Sequence, residues 1–140
     1  MDEIRKLIHR YADAVCRFDP EQWTATWAPD GVWTMLRGSI QGREEIGAKW
    51  TEIMKTFPAV VHVYYNGTCE LDEASNTGTG RWYVGEFFTR PDGETNTLYG
   101  YYDDEYVRVD GEWLFANRTL EALYRGKSDM TGTYLLASDD

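Results

Sequence analysis

The chain contains two histidines, and His62 is the one whose surroundings suit acid–base chemistry. An imidazole exchanges its proton near neutral pH, so it can act as a general base. His62 lies in an apolar run at residues 60–65, where strand alternation places His62, Tyr64 and Asn66 on one face. His62 is therefore either a base that faces a pocket or a hydrogen-bonded structural residue. His9 flanks a helix and is predicted to be exposed and uninvolved.

Glu86 is the acid that could work with this imidazole. Strand alternation places Glu86 on the same face of its strand as the apolar residues Trp82, Val84 and Phe88. A carboxylate among such neighbours needs a partner. It could orient His62, donate a proton, form a salt bridge with Arg118 or lie on an outward face of the strand.

Arg118 and Tyr11 could stabilise negative charge. Arg118 alternates with Ala116 and Leu120, so its guanidinium lies on an apolar face and needs an anionic partner. That partner is either Glu86 or a carboxylate or enolate of a substrate. Tyr11 lies in the centre of an apolar helical stripe and is predicted to be buried. Its hydroxyl is either satisfied within the core or donates to a substrate oxygen.

Other polar groups are predicted to carry no chemistry. The acidic run Asp103, Asp104 and Glu105 is expected to be a solvated strand end. Cys16 is predicted to be a small buried residue rather than a nucleophile. Cys16 and Cys69 form neither a disulfide framework nor a close metal pair, and two distant histidines supply no convergent ligands. We therefore expect no metal site.

Hydrophobic periodicity predicts the elements that must position these residues. Apolar side chains at helical spacing, with proline and glycine breaks, predict helices over residues 3–18, 20–28 and 42–57. Asp19 is the expected N-cap of the second helix. The turn-forming run Pro29-Asp30-Gly31 is expected to end that helix.

Alternating and β-branched runs predict a sheet after these helices. A short strand is expected over residues 32–36, followed by four antiparallel strands over residues 60–71, 78–89, 97–109 and 112–124. Asp110-Gly111 is a favoured hairpin turn. The prediction is an α+β fold of a single domain, residues 1–140: a cone-shaped barrel with a strongly curved, mainly antiparallel sheet and three N-terminal helices around a pocket. Residues 126–140 form a tail, in which Tyr134-Leu-Leu136 docks on the sheet or on a partner.

The amino-acid composition reduces the number of functional classes to which the protein could belong. Aromatic residues make up 15% of the chain, which indicates either a cavity walled by rings or a well-filled sheet core. A formal net charge of −10 argues against binding to nucleic acid or to an anionic membrane surface. No apolar run suggests a signal peptide or a bilayer span, so a soluble cytoplasmic protein is expected.

A series of local motifs runs through almost the whole chain. They are Ile4-x-x-Leu7-x-x-x-Tyr11-Ala, Asp30-Gly-Val-Trp33, Gly42-Arg-Glu-x-Ile46, His62-x-x-x-Asn66, Gly80-Arg-Trp-Tyr83 and Tyr102-x-Asp-Glu-Tyr106-x-Arg-x-Asp-Gly111-x-Trp113. Their order and spacing resemble the SnoaL-like (polyketide cyclase-like) branch of the nuclear transport factor 2-like superfamily. Within it, the chain is similar to scytalone dehydratase, bile-acid dehydratase and hexachlorocyclohexane dehydrochlorinase. Those relatives eliminate water or HCl from small hydrophobic molecules without a cofactor.

The resemblance implies roles for particular residues. His62 occupies the position of the base, and Glu86 falls where the bile-acid enzyme has an acid. Tyr11 matches a tyrosine of the first helix, Trp33 a pocket-wall aromatic, and Arg118 a basic residue of the last strand. Substrate contacts are expected from Trp33, from Cys16 and from residues that share a strand face with His62 or Glu86, namely Tyr64, Asn66, Trp82 and Phe88.

One position departs from the family pattern. The aspartate that relatives carry on the first helix, as the partner of the histidine, aligns with Cys16. Asp13 should face solvent, since about 100° of turn per residue places it opposite the apolar stripe. Asp19 lies at the helix break and could swing inward. The family's histidine–aspartate pair is therefore missing, altered or rebuilt with Glu86.

These observations lead to one main hypothesis about function and two alternatives. The main one is a cofactor-independent lyase or isomerase, dehydratase-like, that acts on a small hydrophobic oxygenated molecule. In it, His62 abstracts a proton, Glu86 orients or protonates it, and Tyr11 with Arg118 stabilises negative charge. The alternatives are a non-catalytic ligand-binding module and a small structural subunit of an oxygenase. A homodimer is expected, because the outer face of the sheet needs cover.

Overall fold

The computed structural model describes residues 1–35 and 38–135. Three helices precede the long strands: α1 (Asp2–Arg17), α2 (Pro20–Ala25) and α3 (Arg43–Met54). The strands are β1 (Trp27–Met35), β2 (Gly38–Gln41), β3 (Ala59–Asp72), β4 (Thr77–Thr89), β5 (Thr95–Val109), β6 (Glu112–Lys127) and β7 (Thr133–Tyr134).

The strands form one curved sheet in the order β2-β1-β6-β5-β4-β3, and β7 pairs with β6. Neighbouring strands are antiparallel except β1 and β6, which are parallel. Register shifts in β3, β5 and β6 bend the long strands, as β-bulges do. The described strands do not close into a full barrel, since β2 and β3 remain at the two edges. The predicted α+β cone with its mainly antiparallel sheet is confirmed.

The helices cover one end of the concave face. The apolar stripe of α1 is buried, with Ile4, Leu7, Ile8 and Tyr11 at no more than 1% exposure. Asp19 caps α2 as predicted, because its carboxylate accepts a hydrogen bond of 3.0 Å from the backbone N–H of Gln22. These contacts fix the angle at which α1 and α2 close the cone.

An aromatic cluster joins the helices to the sheet. The Trp23 ring lies flat on Trp50, with centroids 4.6 Å apart and planes 9° from parallel. Trp23 also packs edge-on against Trp33 at 5.2 Å. Part of the high aromatic content therefore fills a core. Two members of this cluster, Trp33 and Trp50, also line a cavity on the concave side of the sheet.

Several predicted boundaries were wrong. The run Pro29–Gly31 does not form a turn after a helix; it lies inside β1, which begins directly after α2. A register shift between Trp27 and Val32 accommodates the proline and the glycine within the strand. The short strand β2 was not predicted. Leu36, which the prediction placed in the first strand, lies outside the described residues.

The last long strand extends into the predicted tail. β6 continues to Lys127, and Tyr134 pairs with Tyr124 of β6, so this part of the tail docks on the sheet. Leu136 lies outside the described residues. Within the described ranges, no helix has the length and apolar character needed to cross a bilayer.

Candidate active site

The register of two neighbouring strands brings His62 and Glu86 together. His62 on β3 pairs directly with Glu86 on β4, and both side chains point to the concave side. His62 Nδ1 lies 2.7 Å from Glu86 Oε2. The imidazole is 2% exposed and the carboxylate 32% exposed. The pair therefore has a buried member and a member that solvent or a substrate can reach.

The second imidazole nitrogen contacts a tyrosine from the same strand. His62 Nε2 lies 3.0 Å from the Tyr64 hydroxyl oxygen. The same oxygen accepts a hydrogen bond of 2.8 Å from a terminal nitrogen of Arg118. Because a carboxylate can only accept, Nδ1–H of His62 is the donor in its contact with Glu86. The Nδ1–H tautomer leaves Nε2 as an acceptor for the Tyr64 O–H, whose oxygen still accepts from Arg118.

A buried ion pair holds Arg118. Its Nε donates to Asp104 Oδ1 at 2.7 Å, and a terminal nitrogen donates to Asp104 Oδ2 at 3.2 Å. Both side chains are 0% exposed. Tyr106 donates to Asp104 at 3.0 Å, and Trp82 Nε1 donates to the Tyr106 hydroxyl at 2.9 Å. A continuous hydrogen-bonded network thus runs from the core to Glu86.

Two predictions about these charges were wrong. Arg118 pairs with Asp104, and not with Glu86 or with an anion in the cavity. Asp104 is not part of a solvated strand end, since it is 3% exposed, whereas its neighbours Asp103 and Glu105 are exposed. Strand alternation explains the difference, because it turns alternate residues of β5 inward.

Aromatic rings enclose the guanidinium of Arg118. Its central carbon lies 3.9 Å from the ring centroid of Tyr102, 4.1 Å from that of Phe115 and 4.5 Å from that of Tyr11. Such cation–π contacts replace part of the lost hydration. Arg118 does not lie in the cavity wall, but it contacts two rings of that wall, Tyr11 and Tyr102, and it reaches His62 through Tyr64.

Burial keeps the surrounding phenols protonated. Burial raises the pKa of Tyr64 and of Tyr102 well above the ordinary value, although Arg118 acts in the opposite direction. Burial also raises the pKa of Tyr11, again against the effect of Arg118. For Arg118, burial acts to lower the pKa, but Asp104 and the nearby tyrosines raise it well above its usual range. These groups therefore act as fixed hydrogen-bond donors.

The His62–Glu86 pair faces a cavity of about 750 Å³. Tyr11 and Val15 of α1 and Trp50, Ile53 and Met54 of α3 form one wall. The opposite wall comes from the sheet and includes Val84, Leu98, Tyr102 and Leu120. This volume and this mainly apolar lining are typical of a small-molecule site.

Only some of the predicted contact residues lie in the cavity wall. His62, Glu86, Tyr11 and Trp33 line it, whereas Tyr64 lies behind His62. Trp82 belongs to the core, and Phe88 packs behind Phe57, with ring centroids 5.1 Å apart. The described wall thus contains fewer of the predicted contacts than the sequence led us to expect.

Asn66 and Cys16 lie elsewhere than predicted. Asn66 does not share the face of His62 and Tyr64, because a bulge between Tyr64 and Gly67 interrupts the alternation and leaves Asn66 exposed. Cys16 is exposed rather than buried. Its sulfur lies against the backbone of His62, 3.3 Å from the amide nitrogen and 3.5 Å from the carbonyl oxygen. Cys16 therefore contacts the strand that carries the imidazole, outside the cavity wall.

Sequence reasoning missed several residues of the site. Asp104 could have been found, because β5 alternates Tyr102, Asp104 and Tyr106 and the acid shares their face. The basic residues Lys49, Arg90 and Arg125 also line the cavity, and no local pattern marked them. Among the residues described, no group of three or more potential metal-ligating His, Cys, Asp or Glu side chains is found.

Comparison with known proteins places the chain in a family. Residues 1–119 match the SnoaL-like domain, so the chain belongs to the SnoaL-like family. No curated protein matches it. The predicted resemblance is confirmed.

Solved structures share the fold at low identity. A candidate scytalone dehydratase from Novosphingobium aromaticivorans is 21% identical with a TM-score of 0.84, over 98% of this chain and 93% of that one. A hexachlorocyclohexane dehydrochlorinase from Novosphingobium barchaimii is 19% identical with a TM-score of 0.80, over 96% and 92%. A candidate aromatic ring hydroxylase from Novosphingobium aromaticivorans is 22% identical with a TM-score of 0.81, over 89% and 90%. The cone-shaped fold is therefore shared with proteins of different chemistry.

The buried ion pair gives a prediction about stability. Replacing Asp104 by Asn leaves the Arg118 charge buried without a counter-charge, and we expect a loss of about 3–5 kcal/mol in the free energy of unfolding. The matched control is Asp103→Asn, one residue away, which removes an exposed pair with Arg81 and should cost less than about 1 kcal/mol. Urea unfolding followed by circular dichroism measures both. Equal losses in the two variants would contradict the role given to Asp104.

Proposed function

We propose that this protein is a cofactor-independent lyase or isomerase that removes a proton from a small hydrophobic oxygenated molecule. The observation that carries the proposal is the 2.7 Å contact between His62 and Glu86 in the wall of a largely apolar cavity. A coupled imidazole and carboxylate in such surroundings form a competent general base. The family membership and the elimination enzymes among the structural neighbours support the reaction class.

The contacts of His62 suggest which member of the His62–Glu86 pair removes the proton and which one holds the other in place. The resemblance implies that the imidazole takes the proton. In this chain both imidazole nitrogens already have hydrogen-bond partners. Only one oxygen of Glu86, Oε2, contacts His62, and the carboxylate is 32% exposed, so a substrate can reach it. We therefore assign the first contact with the leaving proton to Glu86. His62 donates Nδ1–H to that carboxylate and holds its orientation, and Tyr64 holds His62.

The helical wall of the cavity, opposite the His62–Glu86 pair, supplies a hydrogen-bond donor for the remaining steps of the elimination. As the substrate C–H bond breaks, its electron pair forms the new double bond and the leaving group departs from the neighbouring carbon. The proton stays on the His62–Glu86 pair. Tyr11 lines the same cavity and keeps its O–H proton, so it can donate a hydrogen bond to the oxygen on which negative charge develops. Arg118 contributes through Tyr64 and through its electric field.

The loss of the first-helix acid favours a second candidate function. Cys16 stands at that position, and its thiol contacts backbone atoms of His62 instead of the imidazole. A protein that kept the cavity and lost the chemistry would be a ligand-binding module. The open cavity gives no support to the third alternative, a purely structural subunit.

A base-catalysed probe reaction separates catalysis from binding. In the Kemp elimination of nitrobenzisoxazole, a base removes the ring C–H proton and the N–O bond breaks to give a coloured phenolate. We expect the protein to accelerate this reaction and Glu86→Gln to slow it about a hundredfold or more, because it removes the base. His62→Gln should slow it less. The exposed histidine supplies the control, and His9→Ala should keep the full rate.

The outcomes of this assay are distinct. No acceleration by the wild-type protein would contradict the lyase proposal and favour the binding module. Acceleration that survives Glu86→Gln but is lost in His62→Gln would contradict the assignment of the proton to Glu86. Circular dichroism of each variant checks that the fold is intact.

The convex face of the sheet supports a further proposal, that the protein is a homodimer. Val61 and Tyr65 on the edge strand are 49% and 57% exposed. Tyr83, Phe87, Tyr99 and Tyr101 lie half-buried on the same outer face of β4 and β5. An aromatic patch of this kind marks an interaction surface.

Light scattering tests the dimer. We expect twice the mass of the chain for the wild-type protein and a shift to monomer for Tyr65→Glu, since a charge would then lie in the interface. Ser75→Glu, which adds the same charge in the exposed turn between β3 and β4, should leave the mass unchanged. A monomeric wild-type protein would refute the dimer.

A further inference from the structure

Basic side chains are concentrated in the cavity of an acidic protein. The chain has 24 acidic and 14 basic residues. In the described cavity wall this balance is reversed, because Lys49, Arg90 and Arg125 line it and Glu86 is its only acid. A cavity that took only neutral molecules would not need this reversal.

The sheet register sets the spacing between these cations and the proposed base. Glu86 on β4 pairs with Leu98 on β5, and Leu98 pairs with Arg125 on β6. All three line the cavity, so they form one row across the concave face. Neighbouring strands lie about 4.8 Å apart, which places the backbone of Arg125 roughly 10 Å from that of Glu86. Arg90 follows Glu86 by four residues, just beyond the end of β4, at the same end of the cavity as the β4–β5 turn.

The two arginines of the cavity wall are unlike the paired arginines on the surface of the described residues. In the described part of the chain, no carboxylate lies within 4.0 Å of Arg90 or Arg125. Arg90 has a neutral partner instead. With its amide oriented to satisfy both atoms, Asn96 accepts from Arg90 Nε at 3.1 Å and donates to the carbonyl of Gly126 at 3.3 Å. Asn96 therefore holds this guanidinium in place without neutralising it.

We propose that the substrate carries an anionic group, of the carboxylate class, that Arg90 and Arg125 bind at the mouth of the cavity. That the bound molecule is a substrate rests on the proposed function. The anion site itself is inferred from the three basic side chains and the cavity that they line. Guanidinium groups bind carboxylates through paired, charge-assisted hydrogen bonds. Lys49, on the helical side, adds to the positive field; its own pair with Glu52 is long, at 3.9 Å, and exposed.

The proposal also fixes the direction in which a substrate enters. Glu86 repels an anion, so the charged end lies against the arginines and the apolar part fills the space beside Leu98 and Leu120. The carbon that loses its proton then lies at the far end of the molecule, next to Glu86. A hydrophobic acid whose reactive carbon lies at the end of the molecule away from its carboxylate fits this arrangement.

Binding of a matched pair of ligands tests the anion site. The probes are naphthoate and naphthalenemethanol, which share the ring system and differ in charge, and isothermal titration calorimetry gives each Kd. We expect naphthoate to bind roughly tenfold more tightly, in keeping with two partly exposed charge pairs. The double variant Arg90→Gln/Arg125→Gln should remove that preference and leave the Kd of the alcohol unchanged.

The control removes one arginine charge from β4, outside the cavity. Arg81 lies on the exposed face of β4, paired with Asp103, so Arg81→Gln should keep the preference for naphthoate. Naphthoate that binds no better than the alcohol, that does not bind at all, or that keeps its advantage in the double variant would overturn the proposal.

A further variant distinguishes this inference from the proposed function. Glu86→Gln removes the base and should keep or increase the preference for naphthoate, because one repelling charge is gone. A protein without Kemp elimination activity that still prefers naphthoate would bind anionic ligands without catalysis. An active protein without the preference would keep the lyase function and refute the anion site.

Discussion

The site depends on a buried ion pair between Arg118 and Asp104. Neither side chain reaches solvent, so each has lost its hydration and is stable only while the other is present. Two hydrogen bonds between them, one from Tyr106, and the rings around the guanidinium offset that cost. The pair cannot rearrange cheaply, and this rigidity extends to whatever the guanidinium contacts.

The guanidinium of Arg118 contacts the Tyr64 hydroxyl, and the Tyr64 hydroxyl in turn contacts His62. The Glu86 carboxylate accepts from Nδ1–H, and the Tyr64 oxygen, which accepts from Arg118, can donate its own proton to Nε2. The tautomer and the orientation of the imidazole thus depend on the partners of both ring nitrogens. The resemblance implies an acid from the first helix, whereas the acid beside the imidazole in this chain is Glu86, from the neighbouring strand. The sheet register holds both members, so the pair is as rigid as the strands that carry it.

Much of this arrangement could be predicted from the sequence, and the failures have physical causes. Strand alternation correctly joined His62 with Tyr64 and put Glu86 on a face with Val84. It failed for Asn66, because a bulge adds a residue that no local pattern announces. Because Asp104 is charged, it was predicted to lie in solvent. Strand alternation would have placed it on the inward face, together with Tyr102 and Tyr106. Pairing between distant strands, which brings Asp104 opposite Arg118 and Arg125 into a row with Glu86, is not visible in the local sequence.

An NMR spectrum of the isotope-labelled imidazole nitrogens reads out directly how His62 is held. The chain has two histidines, so the spectrum contains two rings, and exposed His9 serves as the internal reference. We expect His62 to be fixed as the Nδ1–H tautomer, with a proton that exchanges slowly, while His9 averages between tautomers. An Nε2–H tautomer at His62, or an averaged ring like that of His9, would contradict the claim that Glu86 and the Tyr64–Arg118–Asp104 network hold this imidazole in place.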